Sequence, residues 1–442
     1  AFGEETVHIL RHHPYRLCGI EEVDFSLADQ IAQAGNLDPG STERVDAGMA
    51  YVLSRAEKTG NLCLEKHEFL YQVRELLGKR RFSLPALAER AAELVKNRQL
   101  FSFHKWVYLW RTGCVEGALA RAVAEKLLHQ GPAQPSFWRE ELLQVEAELG
   151  MTLNDQQRKA VLTAVSSPLT ILTGGPGTGK TMTQKALVSL YHRVYPGKTV
   201  ACCAPTGRAA RRMEESTGVK AATIHKALKL LAGEDGVFSE PEPLDADLVL
   251  VDEVSMLDVY LAESLFRALK PGCQLVLVGD ADQLPSVGPG AVLRELLSCG
   301  QIPVVRLTKI YRQSADSPIP INAALIRAGN LHLEYGKDFQ FVECADMACS
   351  AGMMEELYLR EAGRFGVDNV ALLSPFRKKT ETGVNALNPK LREWINPKAP
   401  DKPEISHGKR LFRLGDKVMQ VRNFQDISNG DIGYVAAVEN RE

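Results

Sequence analysis

The chain has 442 residues, enough for about three domains with ordinary cores, which excludes a single small module. Hydrophobic residues at 45% and charged residues at 24% exclude a mostly disordered chain, and no stretch approaches the roughly 18 unbroken apolar residues of a membrane span. With 53 Lys and Arg against 55 Asp and Glu the net charge is −2, so any surface for a polyanion must be local.

The start, Ala1-Phe2-Gly3-Glu4-Glu5, has neither the basic nor the apolar region of a secretory signal and does not begin with Met. Nine cysteines, an odd number with no C-x-x-C, predict reduced, buried thiols in a cytoplasmic protein rather than a disulfide framework or zinc site. Residues 1–130 read as an all-helical region: Leu84 to Val95 and Ala118 to Leu128 carry apolar residues at helical spacing. Residues 131–150 read as a linker and connecting helix, with breaker-rich Gly131 to Ser136 followed by a helical Phe137 to Leu149.

From about 151 to 315 short β-rich runs alternate with helices: Leu169–Thr173, Thr199–Ala204, Leu248–Val251, Gln274–Val278 and Val304–Leu307. Continuous apolar strands separated by helices predict a parallel sheet covered on both faces, with function at the carboxyl ends of the strands. Residues 316–442 read as a second, partial α/β domain with strands at Phe339–Val342 and Val370–Ser374. A small β insertion is predicted at about 408–438, where Lys417–Val421 and Gly433–Val438 flank an Asn429-Gly430-Asp431 turn signal.

Gly174-Gly175-Pro176-Gly177-Thr178-Gly179-Lys180-Thr181 fits the phosphate-loop pattern G-x-x-x-x-G-K-[ST] in its required context, after a strand and before a helix. Glycines let backbone N–H groups curl around phosphate oxygens, Lys180 brings positive charge to the terminal phosphates, and the Thr181 hydroxyl suits Mg²⁺. Asp252 and Glu253, at the exit of the Leu248–Val251 strand, supply a metal-holding carboxylate and a base for the attacking water. Gln283, after the next strand, is placed to sense the γ-phosphate and that water.

These blocks occur in an order that resembles superfamily 1 helicases, specifically the RecD-like group that moves 5′→3′ on single-stranded DNA. Leu153 to Ala160 is similar to the Q motif, and the resemblance implies that Gln157 reads the adenine edge. Gly174 to Thr181 matches motif I, so Gly175, Pro176, Gly177, Thr178, Gly179, Lys180 and Thr181 are implied to bind ATP. Ala204 to Ala210 matches motif Ia, and Ala222 to Leu228 resembles the next DNA-contacting block. Val251 to Met256 matches motif II, Gly279 to Gly290 motif III, and Leu307 to Gln313 motif IV, whose Arg312 would act as an arginine finger. The resemblance makes Pro205, Thr206, Arg208, Thr223 and His225 contacts to single-stranded DNA, with Ser374, Pro375 and Arg377, beside Lys378 and Lys379, in the second domain. ATP and Mg²⁺ are the implied cofactors, and single-stranded DNA and its junctions with duplex the implied partners; no membrane is expected.

The N-terminal 150 residues are similar to the helical extension of RecD-like proteins. Gly19 to Ala32 resembles a degenerate helix-hairpin-helix in which Glu22 and Asp24 replace glycines, so packing is expected there rather than phosphate binding. Residues 65–110 resemble a winged-helix module, with basic Lys79-Arg80-Arg81 and with Phe101, Phe103, Trp106, Tyr108 and Trp110 expected in its core. No segment corresponds to the family's motifs V and VI, so the sequence is expected to be C-terminally incomplete. The residues leave open an RNA-directed ATPase of the same superfamily and a nucleotide-switched assembly subunit that is not a motor.

Overall fold

The computed structural model describes residues 2–20, 23–79, 81–129, 135–231, 239–309, 317–378, 380–408, 410–421, 427 and 430–439. The chain forms two compact units, 1–311 and 312–442.

The first unit opens with α1 (Thr6–His12), α2 (Phe25–Ala34) and α3 (Thr42–Lys58), then β1 (Leu64–Glu65), α4 (Lys66–Leu77), α5 (Leu84–Lys96), β2 (Leu100–Phe103), β3 (Trp106–Leu109) and α6 (Trp110–Leu128). Helix starts follow capping chemistry: Asp24 accepts the Leu27 N–H at 2.8 Å, and Ser41 and Ser83 accept from Arg44 and Ala86, each at 3.3 Å. Asp24 therefore starts a helix where a phosphate-binding hairpin would need glycine; Glu22 lies outside the described residues. Phe25, Met49, Leu53, Phe69, Val73, Leu87 and Leu94 form the core of this region.

Arg44, 6% exposed, stitches that core together. Its guanidinium donates to both Asp29 oxygens at 2.7 and 2.9 Å and to the Pro39 and Leu77 carbonyls at 3.2 and 3.0 Å. Arg44→Ala leaves Asp29 and two carbonyls short of partners, and equilibrium denaturation is expected to read a loss of about 3 kcal/mol. The Arg44 hydrogen bonds hold the Asp29 carboxyl below its usual range. This contribution is therefore complete above the ordinary Asp value of about 4 and is lost as pH falls through the lowered one.

The region is helical apart from a three-stranded antiparallel sheet, β1-β3-β2, with Leu64 opposite Val107 and Phe103 opposite Trp106. The aromatics there divide. Tyr108 is buried, and Phe101 packs edge-on to Tyr108 and Trp110 and lies so close to α6 that a Cβ on Gly113 would meet its ring at 2.3 Å. Phe103 and Trp106, expected in the core, are exposed, because the turn carries them past the end of the packed layer.

After α7 (Trp138–Glu148) and α8 (Asp155–Ser166) come β4 (Leu169–Gly174), α9 (Lys180–Val194), β5 (Val200–Ala204), α10 (Gly207–Thr217), β6 (Ala221–Thr223), α11 (Ile224–Ala227), β7 (Leu248–Val251), α12 (Val259–Ala268), β8 (Gln274–Gly279), α13 (Val292–Ser298) and β9 (Val304–Leu307). The strands form one parallel sheet in the order β6-β5-β7-β8-β4-β9. Strand alternation loads both faces. Ile171, Val249, Val251 and Leu277 pack with α12 and with Leu119 and Val123 of α6. Leu172, Leu250, Val276 and Leu307 pack with Leu142, Val161, Val165, Leu187 and Tyr191 of α7, α8 and α9. The pairing of Ala204 with Thr223, Cys203 with Val251, Val251 with Leu277, Thr173 with Gly279 and Gly174 with Leu307 aligns all six carboxyl ends on one edge.

The second unit contains α14 (Pro318–Arg327), α15 (Met347–Phe365) and α16 (Val384–Ile395), then two antiparallel hairpins, β10 (Glu404–His407) with β11 (Arg410–Arg413) and β12 (Lys417–Met419) with β13 (Ile432–Tyr434). The β insertion forms, beginning at 404 rather than 408. The strands expected at Phe339–Val342 and Val370–Ser374 do not: among the described residues neither run joins a ladder, and Phe341 and Leu373 are 71% and 85% exposed. All nine cysteines are free thiols, but only Cys202, Cys203 and Cys273 are fully buried; burial pushes Cys202 up to about 11 and Cys203 to about 12.

Candidate functional site

The loop between β4 and α9 is shaped by two glycines in the left-handed region, Gly177 at φ +76° and Gly179 at φ +84°. A Cβ on Gly179 would also lie 2.3 Å from the Gln157 amide nitrogen. Thr178 is buried and its hydroxyl donates to the Gly175 carbonyl at 2.8 Å, closing the turn from within. Lys180 opens α9 and folds back over the loop, its Nζ donating to the Gly174 and Gly175 carbonyls at 2.5 and 3.3 Å. Pro176 and Thr181 are exposed, the latter in the first turn of α9. Left-handed glycines, a 15-residue helix starting at the loop and a lysine across its mouth make a concavity for anionic oxygens.

Gln157 departs from expectation. It is 1% exposed, its Oε1 accepts the Asn154 N–H at 2.9 Å, and its Nε2 donates to the Thr178 carbonyl at 3.3 Å. Asn154 in return accepts the Gln157 N–H at 2.9 Å, so the pair forms a capping box at the start of α8. The amide that was to read adenine is spent on the helix cap and the phosphate loop. Its neighbour Gln156 ties α8 to the end of β9, accepting the Thr308 N–H at 3.0 Å and donating to its hydroxyl at 2.9 Å.

Across the edge, Asp252 and Glu253 follow β7. Asp252 Oδ1 accepts the Glu253 N–H at 2.8 Å, and Glu253 is held at φ +53°, a left-handed conformation costing a non-glycine residue about 1–2 kcal/mol. Burial, then the charge of Asp252, raises the Glu253 carboxyl above its usual range, with Asp280 adding to this and Lys180 and Arg212 opposing it. Arg212 on α10 and the buried Asp280 are thus electrostatic neighbours that the motifs alone did not mark. Gly279 lets β8 end against this turn: a Cβ there would meet the Ser255 and Val254 nitrogens at 3.2 and 3.3 Å. Gln283 is exposed in the following loop, its N–H bonded to the Asp280 carbonyl at 3.1 Å. Arg312 lies outside the described residues.

The expected polynucleotide contacts at β5 and β6 share the same edge. Thr206 and Thr223 cap helices through their hydroxyl oxygens, accepting the Ala209 N–H at 3.3 Å and the Lys226 N–H at 3.2 Å, which fixes both side chains at this edge and leaves each O–H hydrogen able to donate. Pro205 is half-buried and Arg208 exposed. His225 is half-buried; burial lowers its imidazole and the nearby Asp258 opposes that. In the second unit the Ser374 hydroxyl, by contrast, donates to the Thr382 carbonyl at 2.7 Å, while Pro375, Arg377 and Lys378 are exposed and Lys379 falls outside the described residues.

A six-stranded parallel sheet with a phosphate loop after one strand and an acidic pair after another, all at its carboxyl edge, defines a RecA-like P-loop nucleotide-binding domain. Residues 152–347 match the family model of an AAA domain, 387–442 that of the ATP-dependent RecD-like DNA helicase SH3 domain, and 1–63 that of the ATP-dependent RecD2 DNA helicase HHH domain. Three regions of the chain thus resemble parts of RecD-like DNA helicases. It is 32% identical to an ATP-dependent RecD2 DNA helicase of Deinococcus radiodurans, over 99% of this chain and 61% of that protein. It is 31% identical to the RecBCD enzyme subunit RecD of Mycobacterium tuberculosis, over 64% of this chain and 56% of that protein. The chain therefore spans about three fifths of these curated relatives. A solved structure of Pif1 helicases on forked duplex DNA covers 66% of this chain and 72% of that one at 20% identity, with a TM-score of 0.40, too low to add weight to the strand order.

Proposed function

We propose that the protein is an ATP- and Mg²⁺-dependent DNA helicase that translocates on single-stranded DNA, 5′→3′, and separates strands at junctions with duplex in DNA repair or recombination. The observation that carries this is the common edge: the phosphate loop, the acidic pair and the motif Ia and motif III segments all leave the same side of one sheet. The polarity and the biological setting rest on the family. No described helix is long and apolar enough to cross a membrane; a cytoplasmic enzyme is part of this proposal.

The donor set suits Mg²⁺, which takes one or two carboxylates plus phosphate oxygens and water rather than an all-protein cage. Among the described residues no group of three or more His, Cys, Asp or Glu converges on one point, and Asp252 with the Thr181 hydroxyl would hold the ion. When bound, Mg²⁺ offsets charge on the phosphate oxygens. Lys180 turns from its two loop carbonyls to the terminal phosphates, Glu253 orients the attacking water and takes its proton, and Arg312 stabilises charge developing on the phosphoryl group. Gln283, exposed at the edge, reports the state of the nucleotide to the loop that carries it. Gln157 acts by fixing the loop rather than by touching adenine. Along β5 and β6, Arg208 and the backbone N–H groups at the start of α10 contact phosphates without reading bases, which a sequence-independent motor requires.

The test is steady-state phosphate release by the full-length protein, with and without oligo-dT. At least tenfold stimulation is expected; turnover indifferent to single-stranded DNA would remove the motor reading. Matched DNA and RNA oligonucleotides in the same assay decide the substrate, with the larger stimulation expected from DNA.

A further inference from the structure

The hairpin β2–β3 carries two aromatic side chains that the fold does not use. Phe103 and Trp106 face each other across its last rung and are 56% and 37% exposed, while Val107 and Tyr108 below them are buried. The hairpin closes through His104 and Lys105 alone, with His104 at φ +51°. Its tip is pinned on a third side: β1 pairs Glu65 with Trp106, and the Lys66 N–H donates to the Lys105 carbonyl at 2.8 Å. A strained, pinned turn therefore holds two aromatic faces in solvent. One cation lies there: Lys105 Nζ sits 5.1 Å from the Trp106 ring centre, while the His104 ring packs edge-on to Phe103 at 4.3 Å. Among the described residues the Lys105 ammonium is otherwise paired with the exposed Glu65 at 3.7 Å, a pairing too weak to compete with a phosphate.

The tip also stands close to the edge already described. Gly290, which ends the motif III segment, donates its N–H to the Gly60 carbonyl at 3.0 Å, and a Cβ there would touch Leu62 at 3.3 Å. Leu62 and Glu65 are three residue steps apart, at most about 11 Å of chain, and Trp106 lies one strand spacing, about 5 Å, beyond. Helix α5, which a winged-helix module would lay in a duplex groove, turns Glu89, Ala92, Glu93 and Lys96 to solvent with Arg90 paired to Glu93 at 2.6 Å, a surface with no excess of positive charge for phosphates and no exposed aromatic ring. The exposed rings select the hairpin tip over the helix, and the tip's chemistry, two aromatic side chains with a flanking lysine, is that of a stacking platform for unpaired bases.

We infer that Phe103 and Trp106 form a base-stacking site at which the N-terminal region takes hold of unpaired nucleotides beside the strand-end edge of the nucleotide-binding domain. This rests on the helicase reading above for the presence of DNA, and the experiment separates the two. Full-length Phe103→Ala/Trp106→Ala protein is titrated with a fluorescently labelled forked duplex bearing a dT tail, and its phosphate release is measured with and without saturating oligo-dT. A five- to tenfold weaker fork affinity is expected, with Trp106→Phe restoring it to within about twofold, and with DNA-free turnover and maximal stimulation unchanged. Wild-type affinity in the double variant overturns the site. Equal loss in Trp106→Phe also overturns it, since a stacking face would then have been kept without effect. Absent stimulation in the wild type defeats the motor reading alone, because fork affinity is read independently of turnover.

Discussion

Glu253→Gln is expected to cut the rate of ATP hydrolysis by about 10²–10⁴-fold while leaving ATP binding within a few fold. The amide keeps the shape and the hydrogen-bonding reach of the carboxylate but cannot accept the water's proton. Burial and the adjacent Asp252 raise the Glu253 carboxyl, so wild-type turnover should climb with pH through a value above the ordinary range for glutamate. Stability runs the other way. A raised carboxyl favours the protonated form in the folded state, so folding loses free energy as pH rises from the ordinary value through the raised one. Removing that charge at neutral pH should therefore leave the melting temperature no lower than wild type. Phosphate release, nucleotide titration and a thermal melt decide the matter together. Wild-type turnover excludes Glu253 as the base, and a markedly lower melting temperature would assign the loss to unfolding.

Lys180→Ala should remove hydrolysis by about 10²–10³-fold or more, here with ATP affinity lost as well. The side chain donates to the Gly174 and Gly175 carbonyls, so its absence leaves both the loop and the terminal phosphates without their cation. The β5 and β6 ends are not touched by the change, and affinity for labelled oligo-dT, read by fluorescence anisotropy, should stay within about threefold of wild type. Retained turnover refutes the role given to the phosphate loop.

Five of the six parallel strands were legible within a residue at each end, because a strand buried on both faces is a continuous apolar run, as Leu248–Val251 is. The sixth, Ala221–Thr223, is a three-residue edge strand with little bulk, and nothing in its composition marks it. Phe339–Val342 and Val370–Ser374 fail for the opposite reason. Their composition suits a strand, but a ladder needs a partner, and a local pattern does not specify one. At the site, motif spacing located the phosphate loop and the acidic pair. It misjudged Gln157, although Asn154-x-x-Gln157 is itself a capping-box pattern that announces the cap the structure contains. Arg212 carries no such mark, since its approach to Glu253 depends on how α10 lies on the sheet. The exposure of Phe103 and Trp106 was equally invisible, because an aromatic run does not reveal where its hairpin outgrows the core.

Leu119 and Val123 sit on α6, yet they pack with side chains of β7 and β8, Val251 and Leu277 among them, more than 120 residues further along the chain. On the ribosome that helix emerges long before its counterpart exists, and at about 5–20 residues per second it waits roughly 6–30 seconds with an oily stripe uncovered. The nascent chain is thus most exposed to misassembly and chaperone capture during synthesis of the segment between α6 and β8. Synonymous changes that slow decoding there should lower the yield of active protein without altering one residue of it.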